Sequence, residues 1–334
     1  MNRMRLIIGL ATSFLLVLSS GMTGALAKPV ANPTSSLLAS GLVGAAGSTI
    51  GPGGALFVAE GIAGRISRVD PRTGAVTTFA SGLPTRRPGF DFGGPVDIAF
   101  VGSTAYVLVT LVGPDVGGND IVGIYRVDGP HQFTVIADIG AFSEQNPPDT
   151  EFFVPSGAQY ALEYYRGGFL VTDGHLNRVL SVTRDGAISV AIAFGDIVPT
   201  GLAVTGNTVY MAEAGPVPHM PADGKVVSFE TKSPSVTEVA SGAPLVVDVE
   251  FGRGRQLYAL SQGDYSGGPA GSPALHNTGS LVMVNGDGTF TSVMDGLDQP
   301  VSVQFIGNTA YVVTLTGEIL KIDGVGGPPY GVTD

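Results

Sequence analysis

The sequence predicts an all-β fold, a six-bladed β-propeller with four-stranded blades, in which the N-terminal strand closes the last blade. Three observations support this prediction. Glycine, at 50 of 334 residues, is about twice as frequent as usual. Val, Thr, Tyr, Phe and Ile are spread through the whole chain with no sustained helical period. One strand-like motif recurs six times, at spacings of roughly 40–60 residues.

The first 27 residues have the pattern of a signal peptide. Arg3 and Arg5 precede an apolar run, and an A-x-A motif ends at Ala27. The apolar run is shorter than a membrane span needs, although an uncleaved anchor is the alternative. We therefore expect cleavage after Ala27 and a short linker over 28–35. The chain is then secreted or extracytoplasmic, in the periplasm or cell envelope, with no membrane insertion.

The charge balance argues against two classes of partner. Without Arg3 and Arg5 the chain carries 15 basic residues against 28 acidic ones, a net charge near −13. This charge disfavours nucleic acid and anionic membrane surfaces, and it permits cations and basic partners. The chain has no cysteine, so neither a disulfide nor a thiolate contributes to stability or chemistry.

Each repeat contains four strand-like segments, of which the second is the most regular. Its copies are ALFVAE (55–60), AYVLVT (105–110), GFLVTD (168–173), VYMAEA (209–214), LYALSQ (257–262) and AYVVTL (310–315). Proline-led segments with tight turns precede several copies, and an alternating segment follows each one. Six such units match six propeller blades. A pair of β-sandwiches, the rival architecture, does not predict one aromatic position shared by six units.

The N-terminal strand supplies what the last unit lacks. That unit has only three strands, VSVQFI, AYVVTL and GEILKI. The segment SLLASGL (36–42) resembles TTFASGL (77–83), where a fourth strand ends. Pairing this segment with the last unit closes the ring and removes two open sheet edges. We predict a propeller over 36–324 and an irregular tail over 325–334.

The long connections should share one face of the propeller. They join either the second strand of a blade to the third, or the fourth strand to the next blade. Both kinds of connection lie on the same face of a propeller. Because function concentrates in long loops on a rigid scaffold, we expect the functional site on this long-loop face.

Acidic residues recur at matching positions of opposite blades. Alignment of PVDIAF, VVDVEF and PVSVQF places Asp97, Asp248 and Ser302 at one position of the first strand. Ser48 and Gly201 align with them in blades one and four. Their alternation along the strand predicts side chains that face the central channel.

A second acidic pair, Glu60 and Glu213, ends the second strands of blades one and four. We expect all four carboxylates, with Asp97 and Asp248, at the channel mouth, where like charges favour a bound cation or a shared proton. Oxygen ligands suit calcium or magnesium better than zinc, so the four are candidate ligand-binding residues and candidate calcium ligands. A water-filled channel without a ligand is the alternative.

The chain has no G-x-S-x-G, H-E-x-x-H or P-loop motif. None of its four histidines is spaced with another as a metal pair. His175, His219 and His276 lie in loops on the expected functional face, where they are candidates for binding or acid–base chemistry, with surface solvation as the alternative.

As a set, several segments resemble the ScyD/ScyE family of exported propeller proteins, named for members encoded with scytonemin-pigment biosynthesis. The segments are the ASGL strand ends, GPGGALFVAE, GPVDIAF, QNPPDTEF before VPSG, LVTDGHLNRVLSV, VPTGLAV and MAEAGPVPHMPADGKV. They cover nearly all of the mature chain in the family's order. The resemblance implies an exported, NHL-like propeller and transfers no catalytic residue. The chain departs from the family at ALEYYRGGFL, which leaves the register of the third blade open.

Three functional interpretations follow. The first is a non-enzymatic propeller that binds a small molecule or an extracellular partner protein through its long-loop face. The second is a lactonase-like hydrolase or a lyase with a metal or acid–base site at the channel mouth. The third is a scaffold protein of a cell envelope or matrix. A fold alone does not decide between them.

Overall fold

The computed structural model describes residues 32–149 and 154–326. Within these residues, 24 strands form six antiparallel sheets of four strands each, which confirms the predicted six-bladed propeller. The predicted signal peptide and residues 327–334 of the predicted tail lie outside this part of the chain. No helix in the described part combines the length and apolar character that a membrane crossing requires.

The strands of each blade follow one another outward from the axis. In chain order they are β1 (Thr34–Ala39); β2 (Ala45–Ile50), β3 (Leu56–Glu60), β4 (Arg65–Val69) and β5 (Val76–Ser81) of blade one; β6 (Gly94–Val101), β7 (Thr104–Thr110), β8 (Gly123–Gly129) and β9 (Gln132–Asp138) of blade two; β10 (Gln159–Tyr165), β11 (Gly168–Asp173), β12 (Arg178–Val182) and β13 (Ile188–Ala193) of blade three; β14 (Pro199–Thr205), β15 (Thr208–Glu213), β16 (Lys225–Glu230) and β17 (Ser233–Ser241) of blade four; β18 (Val246–Phe251), β19 (Leu257–Ser261), β20 (Gly279–Val284) and β21 (Phe290–Leu297) of blade five; and β22 (Pro300–Ile306), β23 (Thr309–Thr314) and β24 (Ile319–Asp323) of blade six.

One α-helix, α1 (Ile139–Gln145), interrupts the connection between blades two and three in the described part. The Asp138 carboxylate caps it by accepting a hydrogen bond from the N–H of Ala141 at 2.8 Å. A helix of seven residues is too short to give a recognisable apolar period, so the sequence carries no signal for it.

The N-terminal strand closes the ring, as predicted. β1 pairs antiparallel with β24, with Thr34 opposite Asp323 and Ala39 opposite Ile319. The first strand of blade six, β22, also contacts the first strand of blade one, β2. Both ends of the propeller therefore meet in one sheet.

Apolar side chains fill the spaces between neighbouring blades. In the described part, six of the buried apolar clusters each join strands of two adjacent blades. Between blades one and two, for example, the rings of Phe57 and Phe100 meet edge to face with centroids 4.8 Å apart. The second strands are buried on both faces, so runs such as 107–109 are wholly apolar and do not alternate.

Strand pairing settles the register of the third blade. Tyr165 lies opposite Gly168, so the turn between β10 and β11 has two residues, and Leu170 lies opposite Glu163. Leu170 thereby takes the place that an aromatic residue takes in each of the other five blades. The aromatic residue of this blade, Phe169, is one position earlier than the repeat motif predicted.

Candidate functional site

A cavity of about 770 Å³ lies where the six blades meet. The first strand of every blade contributes to its wall. The remaining wall comes from loops between second and third strands, such as those with His219 and Ser272, and from loops between blades, such as that with Phe92. These are the two kinds of connection that define the long-loop face.

Each blade contributes one equivalent first-strand residue to the channel. In blade order these residues are Gly47, Asp97, Ala161, Gly201, Asp248 and Ser302. The sequence alignment placed Ser48 in this set, but Ser48 lies opposite Val58 and is one position further along. Its hydroxyl lies 2.8 Å from that of Ser302 and joins blade one to blade six.

The two channel aspartates each tie neighbouring blades together. One oxygen of Asp97 accepts a hydrogen bond from the N–H of Leu162 in blade three at 2.7 Å, and the other bonds the next N–H of its own strand. Asp248 repeats this arrangement with the N–H of Val303 in blade six, at 2.8 Å. Both aspartates therefore lie in the channel, as predicted, and each also makes a structural hydrogen bond to a neighbouring blade.

Glycine makes room for both aspartates. A Cβ atom at Gly47 would lie 2.4 Å from an oxygen of Asp97, and one at Gly201 would lie 2.6 Å from an oxygen of Asp248. Gly47 and Gly201 belong to blades one and four, so this contact, like the aspartates themselves, repeats after three blades. The inner wall of the ring therefore has an approximate twofold repeat.

Two glutamates that the sequence analysis did not single out also line the cavity. Glu163 and Glu250 lie two residues beyond the ring position of their strands, and so on the same side of the strand. Glu250 accepts hydrogen bonds from the N–H of Phe251 at 2.8 Å and from Gln304 Nε2 at 3.2 Å. Glu163 forms no hydrogen bond within the described residues. The Asp-x-Glu spacing in VVDVEF places Glu250 on the same side of its strand as Asp248, so the sequence carried a signal for Glu250. Glu163 had no such signal, because the register of blade three was open.

Enclosure favours the protonated forms of these four carboxyl groups. Burial raises the pKa of Asp248 to about 7 and the pKa of Glu250 to about 8. Burial also raises the pKa of Asp97 and of Glu163 well above the usual range, and the charges of neighbouring carboxylates add to the rise. Backbone N–H donors partly offset it at the two aspartates. The channel therefore holds acids that exchange protons near neutral pH.

The other two predicted carboxylates are separate from the channel group. Glu60 is wholly buried and accepts two hydrogen bonds from Arg65, both 2.8 Å long. Glu213 lies opposite Lys225, and burial raises the pKa of Glu213 to about 7. In both blades the last residue of the second strand lies opposite a basic first residue of the third strand, and the Lys225 ammonium itself donates to Glu238 at 2.7 Å. The expected single group of four carboxylates is not formed.

Blade three contains a third such acid–base pair, which the sequence analysis missed. Asp173 and Arg178 form an ion pair at 3.1 Å, and both side chains are almost wholly buried. Arg178 also donates to the Asn146 carbonyl oxygen at 2.7 Å and to the Ser143 hydroxyl at 2.9 Å. The sequence signal is an acid and a base five residues apart across a short turn, as in Glu60 and Arg65. No three or more His, Asp or Glu side chains in the described part are arranged to hold a metal ion.

Two of the three candidate histidines line the cavity, His175 and His219, whereas His276 does not. Burial lowers the pKa of His175 to about 4, so its ring is neutral at pH 7. His219 is 7% exposed, and its Nδ1 lies 2.8 Å from the carbonyl oxygen of Gly215. A carbonyl oxygen only accepts, so Nδ1 carries the hydrogen and Nε2 is the acceptor of the neutral ring.

An aromatic pair completes the wall. The rings of Phe92, in the loop between blades one and two, and Tyr160, in β10, are parallel with centroids 4.7 Å apart. Both rings line the cavity and give its wall an apolar aromatic patch.

No protein-family model matches the chain, and no curated protein sequence matches it. Several solved structures are similar. A gluconolactonase from Xanthomonas campestris has a TM-score of 0.62 at 12% identity, over 88% of this chain and 90% of that one. A catalytically inactive histidine-to-alanine variant of virginiamycin B lyase from Staphylococcus aureus, with quinupristin, has a TM-score of 0.53 at 15% identity, over 87% of this chain and 99% of that one. A chain of a nidogen–laminin complex has a TM-score of 0.53 at 16% identity, over 78% of this chain and 84% of that one. At these identities the similarity establishes the propeller fold alone.

Proposed function

We propose that the protein is an exported, non-catalytic propeller that binds a small organic molecule in the central cavity at its long-loop face. The observation that carries this proposal is the cavity itself, whose volume of about 770 Å³ falls in the usual range of small-molecule sites, roughly 300–1,000 Å³. An apolar aromatic wall and a few polar groups at fixed positions, as found here, are typical of such sites.

Two further elements of the proposal come from the sequence. The N-terminal pattern supports export with cleavage after Ala27, and the segment order supports membership of the ScyD/ScyE family. We expect mass spectrometry of the mature protein from its native host to find Lys28 as the first residue. Recovery of intact Met1 in a cytoplasmic fraction would contradict export.

Thermal-shift measurements with a library of cationic, neutral and anionic small molecules test the binding proposal. A ligand at one hundred times its Kd stabilises the folded state by about 2.7 kcal/mol, which raises Tm measurably. The variant Ala161→Leu places a larger side chain in the channel, and we expect it to lose the shifts that wild type shows. The matched variant Ala75→Leu changes an exposed turn and should keep them. If no compound of any charge gives a shift that Ala161→Leu removes, the proposal fails.

A hydrolase or lyase is a second candidate, and His219 favours it. The Gly215 carbonyl holds the ring with Nε2 as the acceptor, next to a cavity that also contains carboxyl groups. Such an imidazole can accept a proton from a substrate. Gluconolactone and quinupristin, suggested by the similar structures, are suitable probes of turnover. Turnover that His219→Gln abolishes and His276→Gln preserves would favour the enzyme, whereas binding without turnover favours the first candidate.

A further inference from the structure

The ionisable groups that line the cavity are predominantly acidic. Arg86 is the one guanidinium or ammonium group among the described lining residues, and its Nη1 already donates to the carbonyl oxygen of Asp91 at 2.7 Å. Against it stand six carboxyl groups, those of Asp91, Asp97, Glu163, Asp196, Asp248 and Glu250. His175 does not offset them, because its lowered pKa of about 4 keeps the ring neutral at pH 7.

The inner end of the cavity also has unused hydrogen-bond acceptors. A carboxylate has about four lone-pair sites, and Glu163 uses none of them within the described residues. Nearer the loops, the buried His219 has its Nδ1 2.8 Å from the carbonyl oxygen of Gly215, which leaves Nε2 as a further acceptor. A ligand that donates hydrogen bonds can pair with these acceptors, so it gains more from this cavity than a ligand that only accepts them.

The aromatic pair adds a second requirement. Phe92 and Tyr160 stack with an interplanar angle of 1° on the wall of the same cavity. A flat apolar group packs well against such a surface, and a cation near an aromatic ring gains further attraction. The inner carboxyl groups therefore favour a hydrogen-bond donor or a cation, and the aromatic wall favours an apolar group, so the ligand should carry both.

We infer that the ligand of the central cavity is an organic amine, in which a protonated nitrogen is joined to a flat apolar group. This inference rests on the proposed function and specifies its ligand class. The ammonium group donates hydrogen bonds to the inner carboxylates of Glu163 and Glu250, and the flat group packs against Phe92 and Tyr160.

Binding of such a cation should release protons from the protein. The charges of Asp97, Glu163, Asp248 and Glu250 act on one another. The neutral Gln304 and Ser302 line the same cavity, and so do the titratable groups of the loops and strand starts, which are Arg86, Asp91, Asp196, His175 and His219. The raised pKa values of Asp248 and Glu250, about 7 and about 8, mean that protons occupy part of this group near pH 7. A bound ammonium favours the ionised carboxylates, so affinity should rise as the pH increases from 6 to 9. An alkylammonium stays charged over this range, since its pKa is close to the lysine value of about 10.4.

Isothermal titration calorimetry with ω-phenylalkylamines of two to five methylene groups tests the inference. We expect wild type to bind at least one of them, with tighter binding at pH 9 than at pH 6. Titrations in two buffers of different ionisation enthalpy should show proton release. The isosteric variant Glu163→Gln should weaken binding by about tenfold or more, because it removes a charge-assisted acceptor. The control variant Glu230→Gln removes an exposed carboxylate of β16 and should leave affinity unchanged.

The matched ligands separate the alternatives. 2-Phenylethanol lacks the charge of 2-phenylethylamine at nearly the same shape, and equal affinity for the two would overturn the inference. Calcium chloride that binds alone and displaces the amine would overturn it in favour of a metal site. If amines fail while a neutral or anionic compound gives a shift that Ala161→Leu removes, the inference fails and the proposed binding function stands. If nothing binds, both fail.

Discussion

A chain that begins at Ser40, and so lacks β1, is expected to lose about 3–5 kcal/mol of unfolding free energy and to associate in solution. The truncation removes Leu38 and Ala39 from the cluster between blades six and one, and it exposes the paired edge of β24. It keeps Leu42, whose N–H donates to the carbonyl oxygen of Gly317 at 3.1 Å. The loss is a large fraction of an ordinary stability of about 5–15 kcal/mol.

Urea unfolding and size-exclusion chromatography measure both effects, with a chain that begins at Pro33 as the control. Addition of a synthetic peptide with the β1 sequence should restore part of the stability, because an exposed edge accepts an added strand. An unchanged unfolding midpoint and a monomeric elution volume would show that β1 is dispensable.

Substitution of Arg178 by Met is expected to cost about 3–5 kcal/mol, because it leaves the Asp173 carboxylate buried without its counter-ion. The matched variant Arg126→Met breaks an exposed pair with Asp128 and should cost no more than about 1 kcal/mol. The double variant Arg178→Met/Asp173→Asn removes both buried charges and should recover much of the loss. Thermal unfolding of the three variants and wild type measures these differences.

The pH dependence gives a second readout of the same pair. Burial raises the pKa of Asp173 to about 6, although Arg178 lowers it, and loss of Arg178 should raise it further. The folded state of Arg178→Met then binds this proton more tightly than the unfolded state, whose aspartate pKa is about 3.9. The stability of Arg178→Met therefore falls as the pH rises from the unfolded-state pKa of Asp173 to its raised folded-state pKa. The deficit of the variant relative to wild type should be larger at pH 8 than at pH 5. An equal deficit at both values would mean that the carboxyl group is not the cause.

Much of the architecture was predictable because a propeller repeats its signals six times. Glycine-rich turns, second strands buried on both faces and the displaced fourth strand at 36–42 are all local patterns, and together they specified the blades and their closure. The channel aspartates Asp97 and Asp248 were found in the same way, since each sits within a repeated Pro- or Val-led strand.

The parts of the site that were missed depend on strand pairing. One-residue shifts decide which side of a strand a residue occupies, so Ser48 was assigned to a position that Gly47 holds. Glu60 and Glu213 end their strands on the long-loop face, but each lies opposite a basic residue of its own blade. Phe92 comes from a loop, where sequence patterns carry no distances, so its stacking on Tyr160 of β10 had no sequence signal.

The closure of blade six also restricts the order in which strands can pair during synthesis. Thr34 pairs with Asp323, which the ribosome adds 289 residues later, so the first of the described strands to be synthesised is among the last to find its partner. Contacts between such distant parts of a chain form slowly. Until β24 is available, the ring stays open and β1 remains an unpaired segment. In the finished ring the two ends hold each other, because β1 precedes blade one in the chain and pairs with β24 of blade six.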